Sequence, residues 1–443
     1  MTLARTFPQG GIHPYERKEP TRDRDLWNAP IPSQAIVPLQ QHIGAPAEAV
    51  VAPGDTVTEG MLIGKATGFV SARIHAPIPG TVKEIRRIYL PNGSPSDAVV
   101  IELEGEFEQL GRARERVDWS DKSGAQLLDM MKDAGIVGMG GATFPTHVKF
   151  SIPEGKRCEF LLLNGAECEP YLSADHRLMA ERADGVVEGL RIAERILNPD
   201  RVFIGIEKNK PDAIDSMRQA VKSAGLPYTI VPLTVKYPQG DEKMLIKACT
   251  GREIPSGGLP LDIGAVAMSA GTSFATHEAV SLRKPVIERV VTVSGGAVRS
   301  PSNLKVRIGT AFGELFEECG GFSRTPVKIV SGGPMMGFTV HDLDTPVTKG
   351  TSGILALTPE EIHEAPETPC IRCGRCVRAC PVGLSPTTLY KALDHEDYDT
   401  VASEGLMDCR ECGSCSYVCP ARIPLVQGFR IGKRILRKQK VKR

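Results

Sequence analysis

Eight of the chain's 12 cysteines fall in one stretch and repeat one pattern. Cys370-x2-Cys373-x2-Cys376-x3-Cys380-Pro381 is followed, with identical spacing, by Cys409-x2-Cys412-x2-Cys415-x3-Cys419-Pro420. Three cysteines in two tight turns can set thiolates at three corners of an iron–sulfur cubane, while a fourth, just before a proline, is directed to the other cluster. By that rule Cys370, Cys373, Cys376 and Cys419 hold one [4Fe-4S] cluster, and Cys409, Cys412, Cys415 and Cys380 hold the second. Zinc also takes four thiolates, but its sites usually use two separated pairs rather than a triplet plus Cys-Pro. The chemistry expected of the module is one-electron transfer. Cys158, Cys168, Cys249 and Cys319 lie far from these runs and read as small buried hydrophobes.

A second candidate site is the run Gly138-Met139-Gly140-Gly141-Ala142-Thr143-Phe144-Pro145-Thr146-His147-Val148-Lys149. Glycines let backbone N–H groups close on a phosphate or an isoalloxazine ring with no Cβ in the way, and Lys149 supplies a fixed positive charge. The run matches neither a Walker A loop nor a Rossmann fingerprint. On these residues alone a structural turn competes evenly with a cofactor loop.

Four kinds of text must position these groups. Residues 34–104 hold short β-rich segments broken by turns, which reads as a small β-sandwich. From about 120 to 280, apolar strand candidates at 160–164 and 201–206 flank a helical face of Val186, Leu190, Ala193 and Leu197. Strand, helix, strand in that order predicts a parallel sheet with crossover helices. Residues 286–340 return to β-rich text of a size that fits a β-grasp unit. Residues 360–369, acidic and proline-bearing, read as a linker into the cysteine module, where Leu389, Tyr390, Ala392 and Leu393 mark a helix between the two repeats. The expected division is 1–110, 120–284, 285–358 and 359–427, with a basic tail at 428–443.

Composition bounds the function. With 54 Lys plus Arg against 53 Asp plus Glu, no global charge draws the chain to nucleic acid, and any charged docking is local. No apolar run approaches the roughly 18 residues that span a bilayer, and the N-terminus lacks a signal-peptide pattern. The expectation is a soluble or peripheral protein. Cysteines clustered in such a chain read as metal ligands rather than a disulfide framework.

Several resemblances sharpen this reading. The cysteine module is similar to bacterial two-cluster ferredoxins, with the longer helical insert found in multi-subunit oxidoreductases. Gly54-Asp55-x-Val57-x-x-Gly60 followed by Ala76-Pro77-x-x-Gly80-x-Val82 resembles lipoyl and biotinyl carrier domains. Lys83 does not stand in the hairpin turn where carriers present their modified lysine, so the fold is expected without the swinging arm. The glycine run, then Asn164-Gly165-Ala166-Glu167-Cys168-Glu169-Pro170-Tyr171 and Gly240-Asp241-Glu242, resembles the FMN- and NADH-binding subunit of respiratory complex I. That resemblance implies a noncovalent FMN and NAD(H) at Gly138, Gly140, Gly141, Phe144, Lys149, Asn164, Glu167, Glu169 and Glu242. Two positions depart from it: Ala166 stands where complex I has an aspartate, and Met268-Ser269-Ala270-Gly271-Thr272 stands where it has paired asparagines near a threonine.

Taken end to end, the chain resembles the RnfC (RsxC) family, a peripheral component of the Rnf ion-translocating electron-transport complex. The resemblance implies a multi-domain α/β and α+β protein: barrel-sandwich, Rossmann-like flavoprotein domain, SLBB-type β-grasp, and an α-helical two-cluster ferredoxin domain. It also implies an NAD:ferredoxin oxidoreductase at the cytoplasmic face of the inner membrane, with integral-membrane and ferredoxin-like partner subunits. Competing readings are a diaphorase subunit of a soluble hydrogenase or formate dehydrogenase, and a cluster-bearing scaffold without nucleotide chemistry.

Overall fold

The computed structural model describes residues 4–109, 112, 114–362 and 365–441. At its centre four parallel strands stand in the order Thr229–Leu233, Arg201–Glu207, Phe160–Gly165, Ala265–Ser269. Their apolar runs are covered on both faces, as parallel strands require. Leu161, Leu163, Ile204 and Met268 face one helical layer with Val186, Leu190, Ala193 and Leu197, the stripe expected from the sequence. Leu162, Phe203 and Ala267 face the other way, onto Leu245, Ile246 and Cys249 of the helix Glu242–Thr250. Burying each large apolar side chain is worth about 1.5 to 3 kcal/mol, so packing on the sheet, not intrinsic propensity, holds these helices.

The barrel-sandwich has a four-stranded antiparallel sheet, Gln34–Pro38, Pro95–Leu103, Gly80–Tyr89, Thr56–Val57, and a three-stranded one, Glu48–Ala49, Leu62–Lys65, Ile74–His75. Gly80 sits at φ +155°, where a Cβ would lie 1.8 Å from the Glu102 carbonyl oxygen, so only glycine fits this strand start. Lys83 is in mid-strand, paired with Glu102. The hairpin carries no arm lysine.

The β-grasp sheet runs Trp27–Asn28, Ser302–Arg307, Glu288–Ser294, Gly353–Leu357, Lys328–Ser331, Phe338–Val340, with the helix Phe312–Glu318 packed on it. Its edge strand Trp27–Asn28 comes from the N-terminus, which sequence periodicity did not reveal. This N-terminal segment is a strap. Arg5 bridges Leu233 at the edge of the central sheet, Ile12 bridges Tyr237, and the Gly11 N–H donates to the Ala379 carbonyl in the cysteine module.

In that module the helix Pro386–Asp394 carries Leu389, Tyr390, Ala392 and Leu393 as expected. The basic residues read as a tail continue the helix Leu425–Val441 instead. Val426, Phe429 and Leu436 supply its buried stripe, which the surrounding lysines and arginines mask in the sequence. Lys442 and Arg443, and residues 363 and 364 of the expected linker, lie outside the described residues. Among the described residues no helix is long and apolar enough to cross a membrane.

Buried charges lock the units together. Arg307 of the β-grasp sheet donates to Glu59 of the barrel at 2.6 Å. Lys349 is fully buried, and its ammonium donates to the carbonyls of Arg73 in the barrel and Gly135 in the flavoprotein domain, 2.7 Å each. Burial pushes its pKa down from 10.5 to about 7. Between those values the unfolded chain binds the proton more tightly, so folding stability rises with pH across the window. Lys349→Met removes that slope. Thermal unfolding of wild type and variant should therefore show the wild type gaining on the variant from about pH 7 to 10.5. Parallel curves would show that burial does not lower the Lys349 pKa.

Candidate functional site

The glycine run forms a closed loop at the edge of the parallel sheet. Val137 and Pro145 bridge its base, and the Gly138 N–H donates to the Phe144 carbonyl at 2.8 Å. Behind it lies the N-terminus of the helix Ala270–Ser281, where Ser269 Oγ accepts from the Thr272 N–H. Thr272 Oγ1 in turn accepts from the Met139 N–H at 2.9 Å, while buried Arg289 reaches the Met139 carbonyl at 3.4 Å. Thr272, braced by Ser269, thus holds the loop from behind. A Cβ on Gly140 would come within 2.8 Å of Ser269 Cβ, so the loop can lie this close only as glycine. Gly140, Gly141 and Ala142 present exposed backbone, and beyond Gly141 there is open space. An exposed glycine backbone backed by a helix N-terminus fits an anionic, planar cofactor such as FMN. Phe144 is half-buried at the end of the loop.

Lys149 projects from the short helix Thr146–Phe150, and its ammonium donates to Glu242 at 2.7 Å and to the Ala267 carbonyl at 2.9 Å. Both side chains of the pair keep about a third of their surface exposed. Two of three ammonium protons are spent, leaving one for a further acceptor. Asn164, at the end of its strand, donates to the Gly240 carbonyl at 2.8 Å and accepts from the Ala166 N–H, tying the two acidic segments together. Ala166 itself is buried, so no side chain there reaches a cofactor.

Glu167 and Glu169 stand elsewhere. Glu167 accepts from the N–H groups of Asp175 and His176 and caps the helix Ala174–Glu181. Glu169 accepts from the Met335 N–H of the β-grasp loop at 3.0 Å and lies 3.4 Å from the Tyr237 hydroxyl. Burial pushes Glu169 up to about 7. Glu169 thus joins the flavoprotein domain to the β-grasp unit, while Glu167 braces a helix within it.

The cysteine repeats fold as two similar turns. Cys380, Cys409, Cys412 and Cys415 line one apolar cavity, closed by Val426 and Phe429. Cys373 and Cys419 are charge neighbours of Cys376. Each cysteine before a proline thus stands with the opposite triplet. Among the described residues no three His, Cys, Asp or Glu side chains converge on a single-ion point. Sulfurs spaced around a cavity suit a multi-atom cluster better than one zinc ion, which would draw them in to about 2.3 Å from the metal. Burial pushes the Cys409 thiol up to about 11 and raises Cys376, Cys412 and Cys415 as well. Binding a cluster must displace those protons.

The second repeat meets the flavoprotein loop directly. The Tyr237 hydroxyl donates to the Cys412 carbonyl at 2.7 Å, and Arg410 donates to Asp241 at 2.7 Å. Asp241 also caps the helix Glu242–Thr250, and the Gly240 N–H donates to Cys168 Sγ at 3.2 Å. Tyr237, Arg410 and Arg289 carry no motif of their own, and only the closeness of Tyr237 to Gly240-Asp241-Glu242 could have pointed to one of them; Asp241, Ser269 and Thr272 stand in runs the sequence singled out, but without these partners.

Comparison with known proteins gives the same order of units. The RnfC barrel sandwich hybrid domain matches residues 6–106, the Nuo51 FMN-binding domain 131–278, the SLBB domain 290–339 and a 4Fe-4S dicluster domain 363–420. The C subunit of the proton-translocating ferredoxin:NAD(+) oxidoreductase complex of Clostridium ljungdahlii is 48% identical over 424 residues, 95% of this chain and 92% of that one. The C subunit of the Na(+)-translocating ferredoxin:NAD(+) oxidoreductase complex of Acetobacterium woodii is 44% identical over 434 residues, 96% of each chain. The C subunit of an ion-translocating oxidoreductase complex of Rhodobacter capsulatus is 44% identical over 96% of this chain and 82% of that one. The fold also resembles a chain of an NAD+-reducing [NiFe]-hydrogenase in its H2-reduced state, with a TM-score of 0.50 at 17% identity, covering 70% of this chain and 62% of that one. With identities of this size over nearly the whole length, and its four domains in this order, the chain belongs to the RnfC family.

Proposed function

We propose that this subunit is where NAD(H) meets an ion-translocating NAD:ferredoxin oxidoreductase complex. When bound, FMN exchanges a two-electron hydride with the nicotinamide, and the two [4Fe-4S] clusters carry the electrons one at a time. The observation that carries the reading is the contact of the second cysteine repeat with the flavoprotein loop, Tyr237 to Cys412 and Arg410 to Asp241.

The residues divide the work. Gly138, Gly140 and Gly141 offer backbone to the flavin, with Thr272 and Arg289 fixing the loop and Phe144 available for stacking at its end. Lys149, steadied by Glu242, holds the phosphate charge. Asn164 sets the spacing between the strand end and Gly240. Glu167 and Glu169 act through position, one capping a helix and the other seating the β-grasp loop. Cys409, Cys412, Cys415 and Cys380 hold the cluster nearer the flavin, and Cys370, Cys373, Cys376 and Cys419 hold the outer one.

The chain is one subunit of a larger assembly. Its partners on this reading are integral-membrane and ferredoxin-like subunits, and it sits at the cytoplasmic face of the membrane, where NADH is available. Nothing in its own residues moves an ion. On this reading the four units divide near residues 110, 284 and 358.

Flavin and iron assays of the reconstituted full chain test the assignment. One FMN per chain and NADH-dependent bleaching are expected; intact clusters without flavin would make the chain a scaffold. Lys149→Glu sets a carboxylate against both Glu242 and the phosphate, so FMN affinity should fall at least about tenfold, about 1.4 kcal/mol, with iron unchanged. Full flavin retention would remove Lys149 from the site. Cys380→Ser should damage the cluster of the second repeat, lowering iron by up to about four per chain, seen as loss of one cluster's electron paramagnetic resonance signal. Loss of the first-repeat signal alone would refute the crossed ligation.

A further inference from the structure

The two cysteine repeats share backbone shape but not surroundings. Arg372 and Glu411, the residues before the second cysteine of each repeat, take the left-handed conformation at φ 56° and 54°. Each donates its N–H to the first cysteine of its repeat, at 3.4 Å in both cases. Gly374 and Gly413 follow at φ 70° and 81°, and each opens a short helix, Arg375–Ala379 or Ser414–Tyr417. A face of one repeat therefore has a counterpart on the other.

In the second repeat that face is covered. Arg410 pairs with Asp241, Glu411 pairs with Lys433 and Arg430, the Cys412 carbonyl accepts from Tyr237, and Gly413 packs against the Met335 carbonyl. In the first repeat the matching positions are open. Ile371, opposite number of Arg410, is 68% exposed, and Cys370 and Cys373 are exposed. Arg372, Arg375 and Arg378 are exposed too, and among the described residues none has an ion-pair partner. Three exposed guanidinium groups without an ion-pair partner among the described residues thus stand near an exposed apolar residue, in a chain whose overall charge is balanced.

We propose that this open face, centred on Ile371 with Arg372, Arg375 and Arg378, docks an acidic protein that carries its own one-electron centre. The inference rests on the proposed cluster assignment, because the face encloses the outer cysteines. Its partner chemistry follows from charge complementarity: carboxylates for the arginines, and an apolar patch for Ile371. The covered repeat shows that this backbone face can carry an interface, with Asp241 and Tyr237 across from it. Guanidinium groups favour such carboxylates because each can accept two N–H bonds in one plane.

The test uses the full chain with cofactors reconstituted and an acidic two-[4Fe-4S] bacterial ferredoxin as probe, with affinity measured by calorimetry over a range of ionic strength. Wild type should bind, and more weakly as salt rises. The triple variant Arg372→Glu, Arg375→Glu, Arg378→Glu should bind at least about tenfold more weakly and lose that salt dependence. The triple lysine variant should keep binding and cross-link to the probe through carbodiimide at those three positions. Salt-independent wild-type binding, or an unchanged affinity in the glutamate variant, would overturn the proposal; so would cross-links confined to other faces. Iron content is measured on the same samples. Low iron in wild type would defeat the cluster assignment, whereas full iron with no docking would defeat only this face.

Discussion

The arrangement depends on one contact, the seating of the second cysteine repeat on the loop that follows the edge strand Thr229–Leu233 of the central sheet. Tyr237 and Arg410 make it from opposite sides, with Cys412 and Asp241 as acceptors. Asp241 serves twice, since its other oxygen caps the helix Glu242–Thr250. The position of a cluster site is thereby fixed by the start of the helix that also presents Glu242 to Lys149. Two cofactor sites share one rigid element, and no flexible linker intervenes.

Other elements reinforce this seat. The N-terminal strap crosses from the central sheet to the cysteine module and ends as an edge strand of the β-grasp sheet. The β-grasp loop at Met335 is held by Glu169 on one side and meets Gly413 on the other. Buried Lys349 and the pair of Arg307 with Glu59 bind the barrel to the rest. A buried charge is costly unless matched, so each of these contacts specifies a relative placement of domains more than it adds stability. For electron transfer, placement is what matters.

Much of this was legible in the sequence because spacing carries it. The cysteine repeats and the apolar stripe from Val186 to Leu197 are local patterns with one dominant physical interpretation each, while the glycine run before Lys149 becomes readable only beside the segments that follow it. What sequence hid were contacts between segments far apart in the chain. Nothing in Tyr237 or Arg410 announces partners at Cys412 and Asp241, 175 and 169 residues away, and the strand at Trp27–Asn28 is too short to show a period. The helix Leu425–Val441 reads as a charged tail because its buried apolar residues, Leu425, Val426, Phe429 and Leu436, are diluted by basic ones. Glu167 and Glu169 sit in a motif shared with flavoproteins, yet their oxygens are committed to backbone N–H groups of neighbouring elements. A motif names residue types; their partners decide the role.

The most direct test of the central claim is iron-edge anomalous diffraction from crystals of the full chain loaded with flavin and clusters. The account predicts two iron centres, one in the cavity of Cys380, Cys409, Cys412 and Cys415, and that one nearer the flavin over Gly138 to Gly141. A signal at the zinc edge, or an iron centre of the first repeat lying closer to the flavin than that of the second, would contradict it.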